Sequence, residues 1–455
     1  RSGRVTGVQT CALPIFHIVK NHGTEFDDTS TSNKTIQEKV TMCENKKNVV
    51  VDDCLCEAIN ETINHYKSQG TYPVELGFGD VQLNLNHTAN QWLDYMDKYL
   101  PRSAAESEYI TMDYLSKEEV KKEFLNSKNC IKLLSCFCGN GGDVFGAITA
   151  LAKMYKAANR QLPNIEVTII EGSSVAIEQF VELFSRWERN FVNSDPLFKN
   201  CTFKLNAIEH IYDSSSAMSI DKSNNELMDY LGNEKFDLIT SFKGIGEIIK
   251  SAALLNMRNM NLNKNFHTGF ENHAYAVFME IFARALSKRG AIIIADSTYT
   301  LQGDCFTNRM LTHQAIQFIK SSQGEHDMKL VYPRPCSRML EDDCNSCNCS
   351  LNREQRNDTF KSCFPQSSFI ATYNNSSYTT ERPDYMTYVV LCHKDMYEKM
   401  RPELDKLDEH TQNLDIAGYY KSGKEIRCRV ALSRYMASKV QNLYAVNGCI
   451  DDLTF

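Results

Sequence analysis

The sequence predicts an α/β fold built on a doubly wound parallel sheet. Three observations carry that expectation. An apolar run at 131–138 breaks into glycines and then into an apolar-periodic helix. A second apolar strand, VTII, ends in Glu171. From there to residue 393 strand patterns alternate with helix patterns.

The first of these, IKLLSCFCGNGGDVFGA, reads as a buried strand from Ile131 to Cys138, a tight turn at Gly139, Asn140, Gly141 and Gly142, and a helix N-terminus. Folds of this class hold nucleotide-like ligands at such a place. A phosphate loop requires G-K-S or G-K-T, which is absent. The dinucleotide fingerprint requires a third glycine where Val144 stands; the next glycine is Gly146. Glu171, at the tip of the second strand, can accept both hydroxyls of a ribose. The pair points to an adenosine-containing cofactor that needs no pyrophosphate cradle.

The remaining elements follow in order. A helix is predicted from Ala176 to Phe191, a short strand from Thr202 to Leu205 and a surface insertion at 214–233. KFDLITSF (235–242) is the fourth strand. A helix at 273–288, capped by Gly290, leads into the buried strand AIIIAD (291–296). A helix from Phe306 to Ser322, a strand at 328–333 and a last strand at 385–393 complete the series. Seven strands result, with a long insertion at 334–384 before the last.

Around this 129–394 domain the chain divides simply. Residues 1–15 read as the translation of a sequencing adapter, so targeting signals are not legible there. Residues 16–48 are polar and expected to be flexible. Residues 49–128 are expected to form a helical cap, with helices at Val50–Ser68, Asn90–Tyr99 and Lys117–Leu125. Residues 395–455 are a charged helical tail. The 455 residues are 42% hydrophobic and 24% charged, an ordinary globular composition. No apolar run approaches the ~20 residues of a membrane span. The net charge of −7 argues against a broad duplex-binding surface but leaves a local RNA site open.

The glycine turn without phosphate chemistry, followed by an acid on the second strand, resembles the class I S-adenosylmethionine-dependent methyltransferases. That resemblance implies a Rossmann-like seven-stranded sheet with an antiparallel final strand. It implies that Cys138, Gly139, Asn140, Gly141 and Gly142 cradle the methionine and ribose portions, and that Glu171 binds the ribose. Asn206 and Ala207 would lie against the adenine. Ser241, Phe242 and Lys243 would face the transferred methyl, with Ser241 also against the cofactor and Asp296 at the substrate mouth. The N-P-P-Y motif of base-directed enzymes is missing, no general base stands out, and Glu247 is expected to be a structural acid.

Cysteines concentrate at Cys336, Cys344, Cys347, Cys349 and Cys363, with Cys392 in the last strand. Cys344 and Cys347 have the C-x-x-C bite of a metal or cluster ligand pair. A structural zinc or iron–sulfur site, a disulfide-stapled loop and free cysteines all remain open. Nearby sequons at Asn348, Asn357 and Asn375 fit the disulfide reading.

From residue 105 to 394 the chain also resembles the mitochondrial and bacterial small-ribosomal-subunit methyltransferase-like family. Asp237-Leu238 through Ile245, Glu247 and Ile248, GAIIIAD, Pro335-Cys336, the Cys344/Cys347 pair and Ser362-Cys363-Phe364 carry the likeness. Arg338 stands where that family has His, and Ser362 where it has Trp. The resemblance implies a 4Fe-4S cluster or zinc on Cys336, Cys344, Cys347 and Cys363, with Cys349 and Cys392 as alternates. It implies ribosomal RNA or the small ribosomal subunit as partner, and an intracellular setting in cytoplasm or mitochondrion. Lys421, Lys424, Arg427, Arg429, Arg434 and Lys439, with Tyr419, Tyr420 and Tyr435, make the tail basic; they suit either RNA contact or a solvated helix face. The functions in view are methyl transfer to ribosomal RNA, a non-catalytic assembly protein that keeps the fold, and a small-molecule N- or O-methyltransferase.

Overall fold

The computed structural model describes residues 47–76, 84–127, 130–249 and, with short breaks, 270–332 and 367–426. Its centre is a nine-stranded sheet. The strands are β1 (Lys47–Val50), β2 (Ile131–Cys136), β3 (Ile165–Glu171), β4 (Phe203–Glu209), β5 (Phe236–Phe242), β6 (Leu286–Ser297), β7 (Met328–Tyr332), β8 (Ser367–Thr372) and β9 (Arg382–His393). In space they run β1-β8-β9-β6-β5-β2-β3-β4, and β7 also pairs with β9. From β4 to β6 neighbouring strands are parallel, whereas β9 is antiparallel to β6. This is the Rossmann-like, doubly wound arrangement with an antiparallel final strand. All seven predicted strands are present.

The helices are α1 (Asp53–Ser68), α2 (Ala89–Lys98), α3 (Leu100–Leu115), α4 (Glu118–Asn126), α5 (Gly142–Ala157), α6 (Ser174–Ser194), α7 (Ala217–Leu231), α8 (Ala274–Ala285), α9 (Thr307–Ser321) and α10 (Lys394–Asn413). Alternation along the strands splits the interior into two cores, because successive side chains point to opposite faces. Leu133, Ile293 and Val390 face α3, α5 and α6, while Leu134, Ile292 and Leu391 face α7, α8 and α9. Side-chain oxygens seat several helix starts: Asp52 accepts from Cys54 N, Thr88 and Gln91 form a capping box, and Ser173 accepts from Ala176 N.

Several expectations change. The cap begins with a strand, since β1 pairs in parallel with β8, which itself lies inside the predicted insertion. The cap also contains α3, which the sequence pattern does not reveal. Its Ser, Glu and Asp residues mask the periodicity, yet nearly the whole helix is buried against α5 and the sheet. The strand at 202–205 runs on to Glu209 along its pairing with β3. Residues 217–231 are no surface insertion but a crossover helix that buries Ile220, Leu227 and Leu231. Gly290 does not cap α8. The chain enters β6 at Leu286 through a register shift, and a Cβ at Gly290 would stand 2.7 Å from the Asp237 carbonyl oxygen. Among the described residues of the tail, the helix runs to Asn413, and Tyr419–Lys421 and Lys424–Ile426 pair as a hairpin. No helix among the described residues is long and apolar enough to cross a membrane.

Candidate functional site

Chain direction across the sheet reverses between β2 and β5: β3 and β4 lie to one side of β2, β5 and β6 to the other. Ligands of open α/β sheets bind in the crevice that such a reversal leaves beyond the carboxyl ends of the strands. A cleft opens at that place. Its floor is formed by Phe137, Cys138, Gly139, Gly142 and Asp143 after β2, and by Glu171 and Gly172 after β3. His210, Tyr212 and Ser214 follow β4, and Phe242, Lys243, Gly244, Glu247 and Ile248 follow β5. The cap supplies the roof through Leu85, Asn86, Trp92, Tyr95, Leu100 and Ser103.

The floor is drawn tight by backbone geometry. Gly139 and Gly141 take φ of 54° and 76°, the left-handed region where a Cβ is strained. A Cβ on Gly141 would come within 2.1 Å of the Phe180 ring. Gly142 and Gly146 serve a different purpose: their Cβ positions lie 2.8 Å from Leu100 O and 2.2 Å from Ala104 O, so they let α3 lie directly on α5. Phe137 and Lys243, at the tips of β2 and β5, hold positive φ without being glycine. Such outliers persist only where the surroundings over-determine them. Here Phe137 packs edge-on to Phe278, and Lys243 N donates to Ala295 O at 2.7 Å.

Glu171 links two of these tips. Its Oε2 accepts from Gly139 N at 2.9 Å and its Oε1 from Ser173 N at 3.1 Å. Burial pushes its carboxyl above the ordinary range, and the backbone donors work against that push. A carboxylate offers about four acceptor positions, so capacity for ribose hydroxyls remains. Asp143, which the sequence does not single out, is equally buried. Its Oδ2 accepts from Ser135 and Thr240 hydroxyls, both at 2.6 Å, tying β2, β5 and the start of α5 together. Desolvation raises it as well. Its only sequence signal is an acid in the first turn of a helix.

At the β5 end, Lys243 Nζ lies 2.8 Å from Glu106 Oε2 of α3, and Glu106 is buried. Tyr95 is buried within electrostatic range of Glu106. Burial, then the charges of Glu247, Glu106 and Glu171, hold its phenol well above its usual range. Trp92 Nε1 donates to Ser173 Oγ at 3.1 Å, fixing the ring beside Gly139.

The structure therefore brings Cys138, Gly139, Gly142, Glu171, Phe242 and Lys243 to one cleft. Asn140 and Ser241 stand one residue behind it, buried, with side-chain polar atoms that find no partner among the described residues. Asn206 and Ala207 do not line it: they are exposed within edge strand β4, and past that strand's end His210 and Tyr212 line the cleft. Asp296 is not at the mouth. It accepts from Tyr275 OH at 2.7 Å and is closed in by Gly246, whose Cβ would stand 2.3 Å from it. Glu247, expected to be structural, lines the cleft.

Cys336, Cys344, Cys347, Cys349 and Cys363 lie outside the described residues. Cys392 is fully buried in β9, its thiol pushed up by burial. Among the described residues no three His, Cys, Asp or Glu side chains group as a metal site.

No protein-family model matches the chain, and no curated protein matches its sequence. Solved structures similar to it include three methyltransferases. A precorrin-6y C5,15-methyltransferase from Geobacter metallireducens has TM-score 0.28 and 9% identity, covering 63% of this chain and 86% of its own. The plantazolicin methyltransferase, in complex with a monoazolic desmethylPZN analogue and SAH, has TM-score 0.30 and 12% identity, covering 79% and 99%. A loganic acid methyltransferase with SAH has TM-score 0.31 and 8% identity, covering 66% and 96%. The fold assignment stands on the strand order itself, which is that of a Rossmann-like α/β sheet.

Proposed function

We propose that this protein is an S-adenosylmethionine-dependent methyltransferase. The observation that carries the reading is Glu171: an acid on the tip of β3, bonded to Gly139 N, beside the strand-order reversal. Gly139 and Cys138 would hold the methionine portion, Glu171 the ribose, and His210 and Tyr212 the base. The orphaned amide of Asn140, one residue from the turn's open backbone, is the kind of buried polar group a polar ligand answers.

When bound, the cofactor supplies an electrophilic methyl on a sulfonium. The protein's part is orientation and exclusion of water. Trp92, Tyr95 and Leu100 roof the cleft, and the β5 tip lies on the side away from Glu171. Neighbouring strands are about 4.8 Å apart, which puts the β3 and β5 tips roughly 10 Å from each other. That span separates a ribose from a reacting methyl, so an acceptor is expected at Phe242, Lys243 and Glu247. The proposed association with ribosomal RNA rests on the sequence resemblance; the cysteine set that accompanies it lies outside the described residues.

Calorimetric titration of S-adenosylmethionine into the protein and into Glu171→Ala tests the reading. Two hydrogen bonds to a charged acceptor contribute about 1.5 kcal/mol or more each, so the variant should bind about a hundredfold more weakly. Absence of heat from folded wild-type protein would refute it.

A further inference from the structure

Trp92 of the cap touches both strand tips that Glu171 joins. Its indole Nε1 donates to Ser173 Oγ at 3.1 Å. Another edge of the same ring closes on the turn after β2, where a Cβ on Gly139 would stand 3.3 Å from it. Ser173 is itself a junction: its Oγ also accepts from Ala176 N at the start of α6, and its N–H donates to Glu171 Oε1. Glu171 Oε2 in turn accepts from Gly139 N. A circuit results that leaves the Trp92 ring at Ser173, passes through the Glu171 carboxylate and returns to the ring at Gly139. Every member of it is buried.

The circuit ties the cap to the acid. Helix α2 meets the sheet domain at two further points: Gln179 Nε2 of α6 donates to Ala89 O at 2.9 Å, and Leu100 O, just past its end, lies against Gly142. Trp92, one turn into the helix, reaches the turns that hold Glu171. A carboxylate that offers its remaining acceptor positions to ribose hydroxyls has to be held in one orientation, and Ser173 N holds it only while its own turn is fixed.

Resting on the cofactor assignment above, we infer that Trp92 is a positioning residue for the cofactor: through Ser173 it holds the Glu171 carboxylate in place for the ribose, and through the same bond it couples the seating of α2 to cofactor occupancy. Such coupling is reciprocal, so a bound ribose also steadies α2.

Calorimetry tests this with S-adenosylhomocysteine and its 2′-deoxy counterpart, which lacks a hydroxyl for Glu171 to accept. The wild type should prefer the first by about tenfold, the worth of one hydrogen bond to a charged group. Trp92→Phe keeps a ring on Gly139 and removes the donor. It should weaken S-adenosylhomocysteine about fivefold and the 2′-deoxy compound by less than about twofold. Equal losses for both compounds would mean that Trp92 acts by packing alone, and no loss for either that its bond is idle; each overturns the inference. Hydrogen exchange on the unmutated protein decides the matter even if Trp92→Phe fails to fold. Saturating S-adenosylhomocysteine should slow the amides of α2 about tenfold, and unchanged exchange there would overturn the inference. If S-adenosylhomocysteine does not bind the wild type at all, the cofactor assignment falls and takes this inference with it.

Discussion

The two ends of the central sheet are built on opposite terms. At the amino ends of the parallel strands charge is matched. Asp237 at the start of β5 takes two hydrogen bonds at 2.8 Å from Arg289, a third at 2.8 Å from Ser287 Oγ and a fourth from Lys132 N. Arg289 in turn lies 4.8 Å from the Phe124 ring centroid. At the carboxyl ends, Glu171 and Asp143 are buried with hydrogen-bond donors but no opposite charge at contact distance among the described residues, and Phe137 and Lys243 carry strained backbone. One end holds the fold together. The other spends stability to keep a cleft ready for a ligand, the usual division where local rules are broken at a site.

Asp237→Ala should sharpen that contrast most. Removing one partner of a buried, bidentate pair costs about 3–5 kcal/mol. Urea unfolding should show that loss, with cofactor affinity in the surviving folded protein unchanged. A loss under 1 kcal/mol would mean that the amino end is not the anchor. Next in size is Gly141→Ala, which meets both a positive φ and the Phe180 ring; about 2 kcal/mol is expected in the same assay. Gly139→Ala, at φ 54° with Trp92 at 3.3 Å, should cost about 1 kcal/mol but weaken cofactor binding more than Gly141→Ala does.

The smallest effect is the most pointed. Burial raises the Glu171 carboxyl in the folded state, so this group favours folding when protonated and opposes it as pH rises through its folded pKa. Glu171→Gln should therefore make the ligand-free protein slightly more stable at pH 7, although it loses cofactor binding. The gain should shrink as pH falls from the raised folded value toward the ordinary carboxylate value and vanish below it. Thermal melts of both proteins between pH 4 and 7 measure it, and a variant less stable at every pH would break the comparison between the two ends.

Much of this architecture is legible in the sequence because its signals are local. The run at 131–147 declares strand, turn and helix by composition alone, and Glu171 is found by its position at the end of a strand. What stays hidden is set by partners distant in the chain. Gly142 lines the cleft but also answers to Leu100, and Gly146 answers to Ala104. Glu106 carries no sequence signal, and its partner Lys243 lies 137 residues further along the chain. Asn206 and Ala207 are misplaced because the pairing with β3 extends β4 by four residues past Leu205. Asp296 is held inside by the Tyr275 hydroxyl and by the close approach of the helical backbone at Gly246.

The buried α3 also has a consequence in time. Its Tyr114 hydroxyl donates to carbonyls of Arg289 and Gly290, the first of them 175 residues further along the chain. At a synthesis rate of about 5–20 residues per second, α5, which covers most of the helix, follows within about 10 s, but the Tyr114 end waits roughly 10–35 s for these carbonyls. Until they arrive, that end of a helix buried in the finished protein is open to other nascent chains.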